Sequence, residues 1–212
     1  MCSPALGDLD RDGCLDCVVG SWDENFYALS GEDGAVLWRY EQGGGWSSPA
    51  LGDLIGDGSV DCVVGSRDMR VHALSGKDGT VLWIYESGDQ VVSSPAVADL
   101  NGDGGLDCVV GASDRNVYAL SGRDGAVLWR YNTGGSAASA PALGELNGDG
   151  CLDCVVGSDD QKVYALSGKD GALLWAWETG AAVGSSPALG DLNEDGCLDC
   201  VVGSDDQKVY AL

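Results

Sequence analysis

Short apolar runs separated by turns rich in Gly, Asp and Ser follow one another along the whole chain. In the first stretch they predict four strands: A over about Ser3–Asp8, B over about Asp16–Ser21, C over about Asn25–Leu29 and D over about Ala35–Tyr40. Strand B reads DCVVGS and is apolar on both faces, which is typical of a sheet packed between two others. Gly in the intervening links supplies the positive φ that tight hairpin turns require.

This four-strand pattern repeats about every 46 residues, a period typical of a β-propeller. The phrase SPALGDLNGDGCLDCVVGSDDQKVYAL occurs five times in variant forms, and SGKDGAVLWRYETGG lies between the copies. Each unit of such an array covers the apolar face of its neighbour. We therefore predict an all-β fold, a β-propeller of about five four-stranded blades in a single domain over residues 1–212. Its units are 3–47, 48–93, 94–139, 140–185 and the partial unit 186–212.

The fifth unit reaches strand C at Leu212, so its outer strand D is missing from the pattern. Three arrangements remain open from the sequence. The ring closes by face packing with one three-stranded blade, the chain is a piece of a larger ring, or two chains assemble through the exposed edge of the last strand C.

The link between strands A and B is acidic and follows the pattern D-x-D-x-D-G-x-x-D. Side-chain oxygens at positions 1, 3, 5 and 9, with Gly at position 6 for the sharp turn, suit a hard cation such as Ca²⁺, which takes six to eight oxygen ligands. Position 7 is expected to contribute its backbone carbonyl. The loop is not an EF-hand, because its twelfth position is Val19 and strands flank it.

The five copies of this acidic loop differ in their predicted ligands. Loop 2 has Ile55 at position 3 and is expected to bind calcium most weakly or not at all. Loop 4 begins with Glu145, which changes its geometry. The predicted ligands, up to five sites, are Asp8, Asp10, Asp12, Cys14 and Asp16 in loop 1; Asp53, Asp57, Ser59 and Asp61 in loop 2; Asp99, Asn101, Asp103, Gly105 and Asp107 in loop 3; Glu145, Asn147, Asp149, Cys151 and Asp153 in loop 4; and Asp191, Asn193, Asp195, Cys197 and Asp199 in loop 5.

The net charge of −23 argues against nucleic acid and anionic membrane surfaces as partners, because both attract a basic face. The sequence contains no stretch long and apolar enough to span a membrane and no signal-peptide pattern. The clustering of acids within one repeated loop favours metal binding over a purely solubilising role.

Two family resemblances meet in each unit. The half SPALGDLNGDGCLDCVVGS resembles the FG-GAP repeat of integrin α-subunit propellers, whose calcium loop joins the first two strands of a blade. The half VYALSGKDGAVLWRY resembles the repeat of PQQ-type quinoprotein propellers, with its Gly turn and its Trp on the outer strand. Together the resemblances cover nearly the whole chain and imply the fold and the calcium loops rather than an activity.

The quinoprotein resemblance also raises an enzyme alternative, a PQQ-dependent dehydrogenase with its cofactor on the propeller axis. We expect no PQQ and no catalytic residues, because the chain has few unique polar groups and lacks the adjacent cysteines that many such enzymes place against the cofactor. The only histidine, His72, stands where the other units have tyrosine, so it is interpreted as a strand substitution.

Nine cysteines fall mostly at two repeated positions. Those at the start of strand B are interpreted as small buried hydrophobes. Those at loop position 7 form C-x-x-C pairs with them, for which zinc binding and a local disulfide are the alternatives. A repeated tryptophan on strand D is expected to pack between blades. The three sets are Cys17, Cys62, Cys108, Cys154 and Cys200; Cys14, Cys151 and Cys197; and Trp38, Trp83, Trp129 and Trp175.

The units differ most in their B-to-C turns and in the D-to-A linkers, residues 42–47, 87–93, 133–139 and 179–185. Both lie on the face opposite the acidic loops, and variable loops on a rigid scaffold are where binding usually resides; unconstrained drift is the alternative. The candidate partner-binding residues are Trp22, Trp46, Arg67, Met69, Arg70 and Arg115.

From these features we expect a calcium-stabilised, non-enzymatic propeller that binds a protein or a glycan outside the cell or at the cell surface. Unpaired cysteines weigh against an oxidising compartment. The second hypothesis is a structural spacer, or a fragment of a larger propeller that assembles through its open edges as an oligomer.

Overall fold

The computed structural model describes residues 2–41 and 46–212, so linker residues 42–45 lie outside the described part. The described residues form nineteen β-strands in five antiparallel sheets. They include no helix long and apolar enough to cross a membrane. The strands are β1 (Ala5–Gly7), β2 (Asp16–Gly20), β3 (Asn25–Leu29), β4 (Val36–Glu41), β5 (Ala50–Gly52), β6 (Asp61–Gly65), β7 (Arg70–Ser75), β8 (Val81–Glu86), β9 (Ala96–Ala98), β10 (Asp107–Gly111), β11 (Asn116–Ser121), β12 (Val127–Asn132), β13 (Ala142–Gly144), β14 (Asp153–Ser158), β15 (Lys162–Leu166), β16 (Leu173–Glu178), β17 (Ala188–Gly190), β18 (Asp199–Ser204) and β19 (Lys208–Ala211).

The predicted β-propeller is confirmed. Each of blades 1 to 4 is a four-stranded meander in chain order, and blade 5 has the three strands β17, β18 and β19. Strands B, C and D of blade 1 match their predicted bounds to within a residue, whereas strand A is shorter, at Ala5–Gly7. Strand A stops before Asp8 because that side chain already belongs to the acidic loop, where its carboxylate accepts the Gly13 N–H.

The hydrophobic core lies between blades rather than within them. The two faces of strand B serve different neighbours: Cys62 and Val64 of blade 2 pack with blade 1, and Val63 packs with blade 3. All three side chains are fully buried. The repeated cysteine of strand B is therefore a core residue of the joint, fully or almost fully buried in blades 2 to 5.

The repeated tryptophan of strand D packs between blades, as predicted. The indole N–H of Trp83 donates to the carbonyl of Gly122 in the next blade at 2.6 Å. Its ring lies against Gly125 (φ +71°), where an added Cβ would come within 2.7 Å of the indole. Trp38 and Trp129 donate in the same way to Gly76 and Gly168. Glycine at position 125 lets the indole of Trp83 lie against the neighbouring turn.

A second contact between neighbouring blades joins strand C of one blade to strand D of the preceding blade, near the B-to-C turns. Tyr118 of blade 3 packs against Tyr85 of blade 2 and donates its hydroxyl proton to Asp114 at 2.5 Å. The same carboxylate accepts the N–H of Gly88 from the preceding linker. An aspartate occupies this turn position in all five blades and accepts a hydrogen bond from the tyrosine four residues later in four of them, while in blade 2 His72 takes that tyrosine's place. Sequence analysis missed this contact between blades, although an Asp that is constant within otherwise variable B-to-C turns could have indicated it.

The two end blades keep one face uncovered. Val209 of blade 5 is 75% exposed, whereas its counterparts Val71, Val117 and Val163 are fully buried between blades. On blade 1, Leu6 is 63% exposed. Closure by face packing of the first blade on the fifth, one of the arrangements the sequence left open, is therefore not what this structure has.

We expect Trp129→Phe to lower the free energy of unfolding by about 1–3 kcal/mol or more, because it leaves the buried Gly168 carbonyl without its donor. Trp175→Phe is the matched control. It makes the same truncation, but the described residues include no C-to-D turn of blade 5 to accept its proton. Urea unfolding of both variants measures the difference, and equal losses would contradict this role of the indole N–H.

The joint between blades 1 and 2 is expected to respond to pH. His72 is fully buried, and its imidazole lies 3.0 Å from both the Asp68 carboxylate and the Tyr40 hydroxyl. Burial lowers the pKa of His72 below its usual 6.5, although Asp68 opposes the shift. The unfolded chain therefore binds the proton more readily, and stability falls as the pH drops below 6.5.

We expect His72→Tyr, which copies the other four blades, to remove this contribution. The free energy of unfolding of the variant, relative to the unsubstituted protein, should rise as the pH falls from about 7 to 5. Chemical denaturation across that range is the measurement. Parallel stability curves for the two proteins would show that His72 does not titrate differently on folding.

Candidate calcium-binding loops and the opposite loop face

All five acidic loops share a backbone with two left-handed positions. Position 6 is glycine in every loop, with φ between +79° and +88°. Position 4 is glycine in loops 2, 3 and 4, but Arg11 (φ +66°) in loop 1 and Glu194 (φ +63°) in loop 5. Left-handed backbone at these two positions turns the chain sharply in every loop.

The aspartate at position 9 anchors each loop to its blade. In loop 1, Asp16 is fully buried and accepts the N–H of Leu9 at 2.9 Å and that of Gly31, in the C-to-D turn, at 3.0 Å. The Leu–Asp bond recurs in all five loops. Position 9 therefore has a structural role that does not depend on a metal.

Loop 1 brings three carboxylates together. Oxygens of Asp8, Asp10 and Asp16 all lie within 4.8 Å of one another. Asp8 Oδ1 is buried and has no hydrogen-bond partner among the described residues. Burying a carboxylate oxygen without a partner is costly, so this atom requires a cation or a donor that the protein itself does not supply. The predicted fourth side chain, Asp12, instead accepts the N–H of Cys14 at 2.6 Å.

Loops 3 and 5 have the same frame with Asn at position 3. The carboxylate of Asp99 accepts the N–H groups of Gly102 and Gly104, and Asp191 likewise accepts that of Gly196. In loop 4 Glu145 likewise accepts the N–H of Gly148 at position 4, and its longer side chain also accepts the N–H of Asn147, a bond that loops 3 and 5 do not share.

Loop 2 receives a cationic side chain from its neighbour. Arg11 of loop 1 donates to the Ser59 hydroxyl at 2.7 Å and to the Asp57 carbonyl at 3.3 Å. Ile55, at the position where the other loops have Asp or Asn, is 38% exposed. Sequence analysis identified the missing ligand but not the guanidinium beside it, because the contact joins two units.

Burial disfavours the charged form of the position 9 carboxylates in loops 2, 3 and 4. It raises the pKa of Asp107 to about 6, and it also raises the pKa of Asp61 and Asp153, with the neighbouring loop acids adding to the shift. No lysine or arginine contacts these three carboxylates in the described residues. A divalent cation in the loop would stabilise their ionised form.

The cysteines at loop position 7 give no indication of a zinc site or a disulfide. Cys14 and Cys197 are exposed and Cys151 is half-buried, and all nine cysteines are free. Nearby Asp12 and Asp195 raise the pKa of the Cys14 and Cys197 thiols, which disfavours the thiolate form that zinc binds.

The opposite face brings together three of the six candidate partner-binding residues. Trp22 and Trp46 pack edge to face with ring centroids 5.0 Å apart, and the Arg67 guanidinium lies 3.9 Å from the Trp46 ring centroid. The rest are not part of this group: Met69 is 49% exposed, Arg70 pairs with Glu86 at 2.9 Å, and Arg115 occupies a left-handed turn position.

Comparison with known families places the chain. A family model described as outer membrane protein assembly factor BamB matches residues 16–150, more than half of the chain, and an FG-GAP-like repeat model matches residues 145–202. The chain therefore belongs to the BamB-like family of propeller repeats, and both resemblances drawn from its motifs are confirmed. No curated protein sequence matches it significantly.

Solved structures with the same fold include BamB from Moraxella catarrhalis (TM-score 0.73, 16% identity, 96% of this chain and 59% of that one). A quinohemoprotein alcohol dehydrogenase from Pseudomonas putida HK5 aligns with TM-score 0.72 and 17% identity over 99% and 41%. BBS1N in complex with ARL6DN aligns with TM-score 0.66 and 15% identity over 98% and 64%. The chain thus spans less than two thirds of each of these structures.

The two non-glycine residues at position 4 yield a matched test of loop strain. We expect Glu194→Gly to stabilise the fold by about 0.5–1 kcal/mol, because a left-handed conformation costs a side-chain residue more than glycine. Arg11→Gly should gain less, since it also removes the bonds to loop 2. Urea unfolding in chelator measures both, and a destabilised Glu194→Gly protein would contradict the argument.

Proposed function

We propose that this chain is a calcium-stabilised, non-enzymatic propeller that binds a protein partner through its B-to-C and D-to-A loops. The observation that carries the calcium part is loop 1, where three carboxylates converge and a buried Asp8 oxygen has no partner. Asp8, Asp10 and Asp16 would hold the ion, with the Cys14 backbone carbonyl completing the protein ligands. Bound calcium supplies the positive charge that these loops lack.

Binding rather than catalysis is supported by the kind of relative and by the chemistry of the chain. BamB is described as an assembly factor, and BBS1N was crystallised in complex with ARL6DN, so propellers of this fold act in protein assemblies. The chain's only histidine is fully buried at a blade joint, where it cannot reach a substrate. We infer a location outside the cell or at the cell surface, where calcium is abundant enough to fill loops of moderate affinity.

Calcium titration followed by calorimetry and thermal melts tests the proposal. We expect the melting temperature to be higher in calcium than in chelator, with magnesium much less effective. At a free calcium concentration of about 100 times Kd, each filled site contributes about 2.7 kcal/mol. Identical melting curves in calcium and chelator would contradict calcium stabilisation.

The chain supplies its own matched pair of variants. Asp10→Ile gives loop 1 the position 3 residue of loop 2, and Ile55→Asn gives loop 2 that of loop 3. We expect the first to lose one bound calcium per chain and the second to gain or tighten one, both with the fold intact in chelator. A calcium count that changes in neither variant would rule out position 3 as a ligand.

A further inference from the structure

The aromatic cluster of Trp22, Trp46 and Arg67 is specific to the joint between blades 1 and 2. At the position of Trp22 the later units have Arg67, Ser113, Asp159 and Asp205, and at that of Trp46 they have Val92, Ala138 and Gly184. The other joints form without aromatic residues there. The fold therefore does not require the two rings.

Trp22 is the exposed tryptophan of this cluster. It is 73% exposed, whereas Trp46 is half-buried beneath the Arg67 guanidinium. The Trp22 ring packs edge to face against Trp46, which favours one orientation of the exposed indole. A fixed and exposed indole offers a large contact area at low cost in conformational entropy.

The turn that carries Trp22 is acidic. Asp23 and Glu24 follow it directly, and both are exposed. Hydrogen bonds with Tyr27, Ser21 and Asn25 lower the pKa of Asp23 to about 2, so this carboxylate is ionised at physiological pH. The chain as a whole carries a net charge of −23, which attracts cations and repels anions.

We propose that Trp22 binds an arginine or lysine side chain from a basic polypeptide segment, with Asp23 and Glu24 supplying the opposite charge. This deepens the proposed function by naming the chemistry of its partner, and it rests on that function. The cluster already contains one such contact, because Arg67 stacks on Trp46 at 3.9 Å. A tryptophan face attracts a guanidinium through its quadrupole, and nearby carboxylates add to that attraction.

Arg67 also distinguishes the proposal from its main rivals. For a basic segment, Arg67 is a competing cation, and its removal should leave affinity unchanged or increase it. For an acidic segment, Arg67 would be the attracting group, and its removal should weaken binding. The sign of the Arg67 effect therefore reports the charge of the ligand.

The test uses three capped pentapeptides of glycine with arginine, glutamine or glutamate at the second and fourth positions. They are titrated into the calcium-loaded chain at about 0.15 M salt, where long-range charge effects are largely screened. Indole N–H resonances locate binding, and calorimetry gives Kd. We expect the arginine peptide to shift the Trp22 indole and to bind more tightly than the other two.

Three variants complete the experiment. Trp22→Ala keeps the net charge and should weaken binding of the arginine peptide about threefold, the loss typical of one exposed cation–π contact. Trp177→Ala, which removes a half-exposed tryptophan elsewhere, should leave affinity unchanged. Arg67→Met keeps a long apolar side chain over Trp46 without the charge and should not weaken binding.

Equal affinity of Trp22→Ala and the unsubstituted chain would overturn the proposal, because binding would then follow net charge alone. Weaker binding by Arg67→Met, or a Trp22 shift caused by the glutamate peptide, would also overturn it but would leave a binding face opposite the acidic loops. If none of the peptides binds, the inference fails while calcium stabilisation stands or falls separately on the melting curves.

Discussion

The whole structure depends on the fact that no blade can bury its own sheet. Strand B is apolar on both faces. The side chains on both faces are buried only when a blade packs on each side, as for Val63 and Val64 in blade 2. The tryptophan on strand D adds a hydrogen bond between neighbouring blades, because its N–H donates to a glycine carbonyl in the next blade. Val209 of blade 5 follows the same principle, because it is exposed on a face where no further blade packs.

This rigid frame separates two kinds of loop on opposite faces. The A-to-B loops are anchored by the aspartate at position 9, and in loop 1 this residue lies close to the carboxylates of Asp8 and Asp10. The B-to-C turns are anchored differently, through an aspartate that accepts a tyrosine hydroxyl in four blades and also the N–H of a linker glycine in blades 3 and 5. Each turn thus has one constant acid for structure, and its other side chains are free to differ.

Most of the fold was predictable because it follows from the periodic pattern of apolar, Gly and acidic residues within each unit. The repeat, the strand bounds, the buried cysteine and the tryptophan between blades all follow from patterns within one unit. Contacts between units were not predictable in the same way. The Arg11 bond to Ser59 and the His72 contact with Tyr40 each join residues of neighbouring units, and nothing in a single repeat specifies them. The ligand spacing of the acidic loops was readable, but how closely the oxygens converge depends on side-chain packing.

Differences between nearly identical units carry the functional information in such a protein. A residue present in all five copies is explained by the blade, whereas a residue present once must be explained by its local surroundings. His72, for example, contacts a tyrosine hydroxyl and a carboxylate that accommodate its ring. Trp22 has no such structural explanation, because most of its ring faces solvent. Packing within the blade explains Trp22 least, so contact with a partner is most needed to account for this residue.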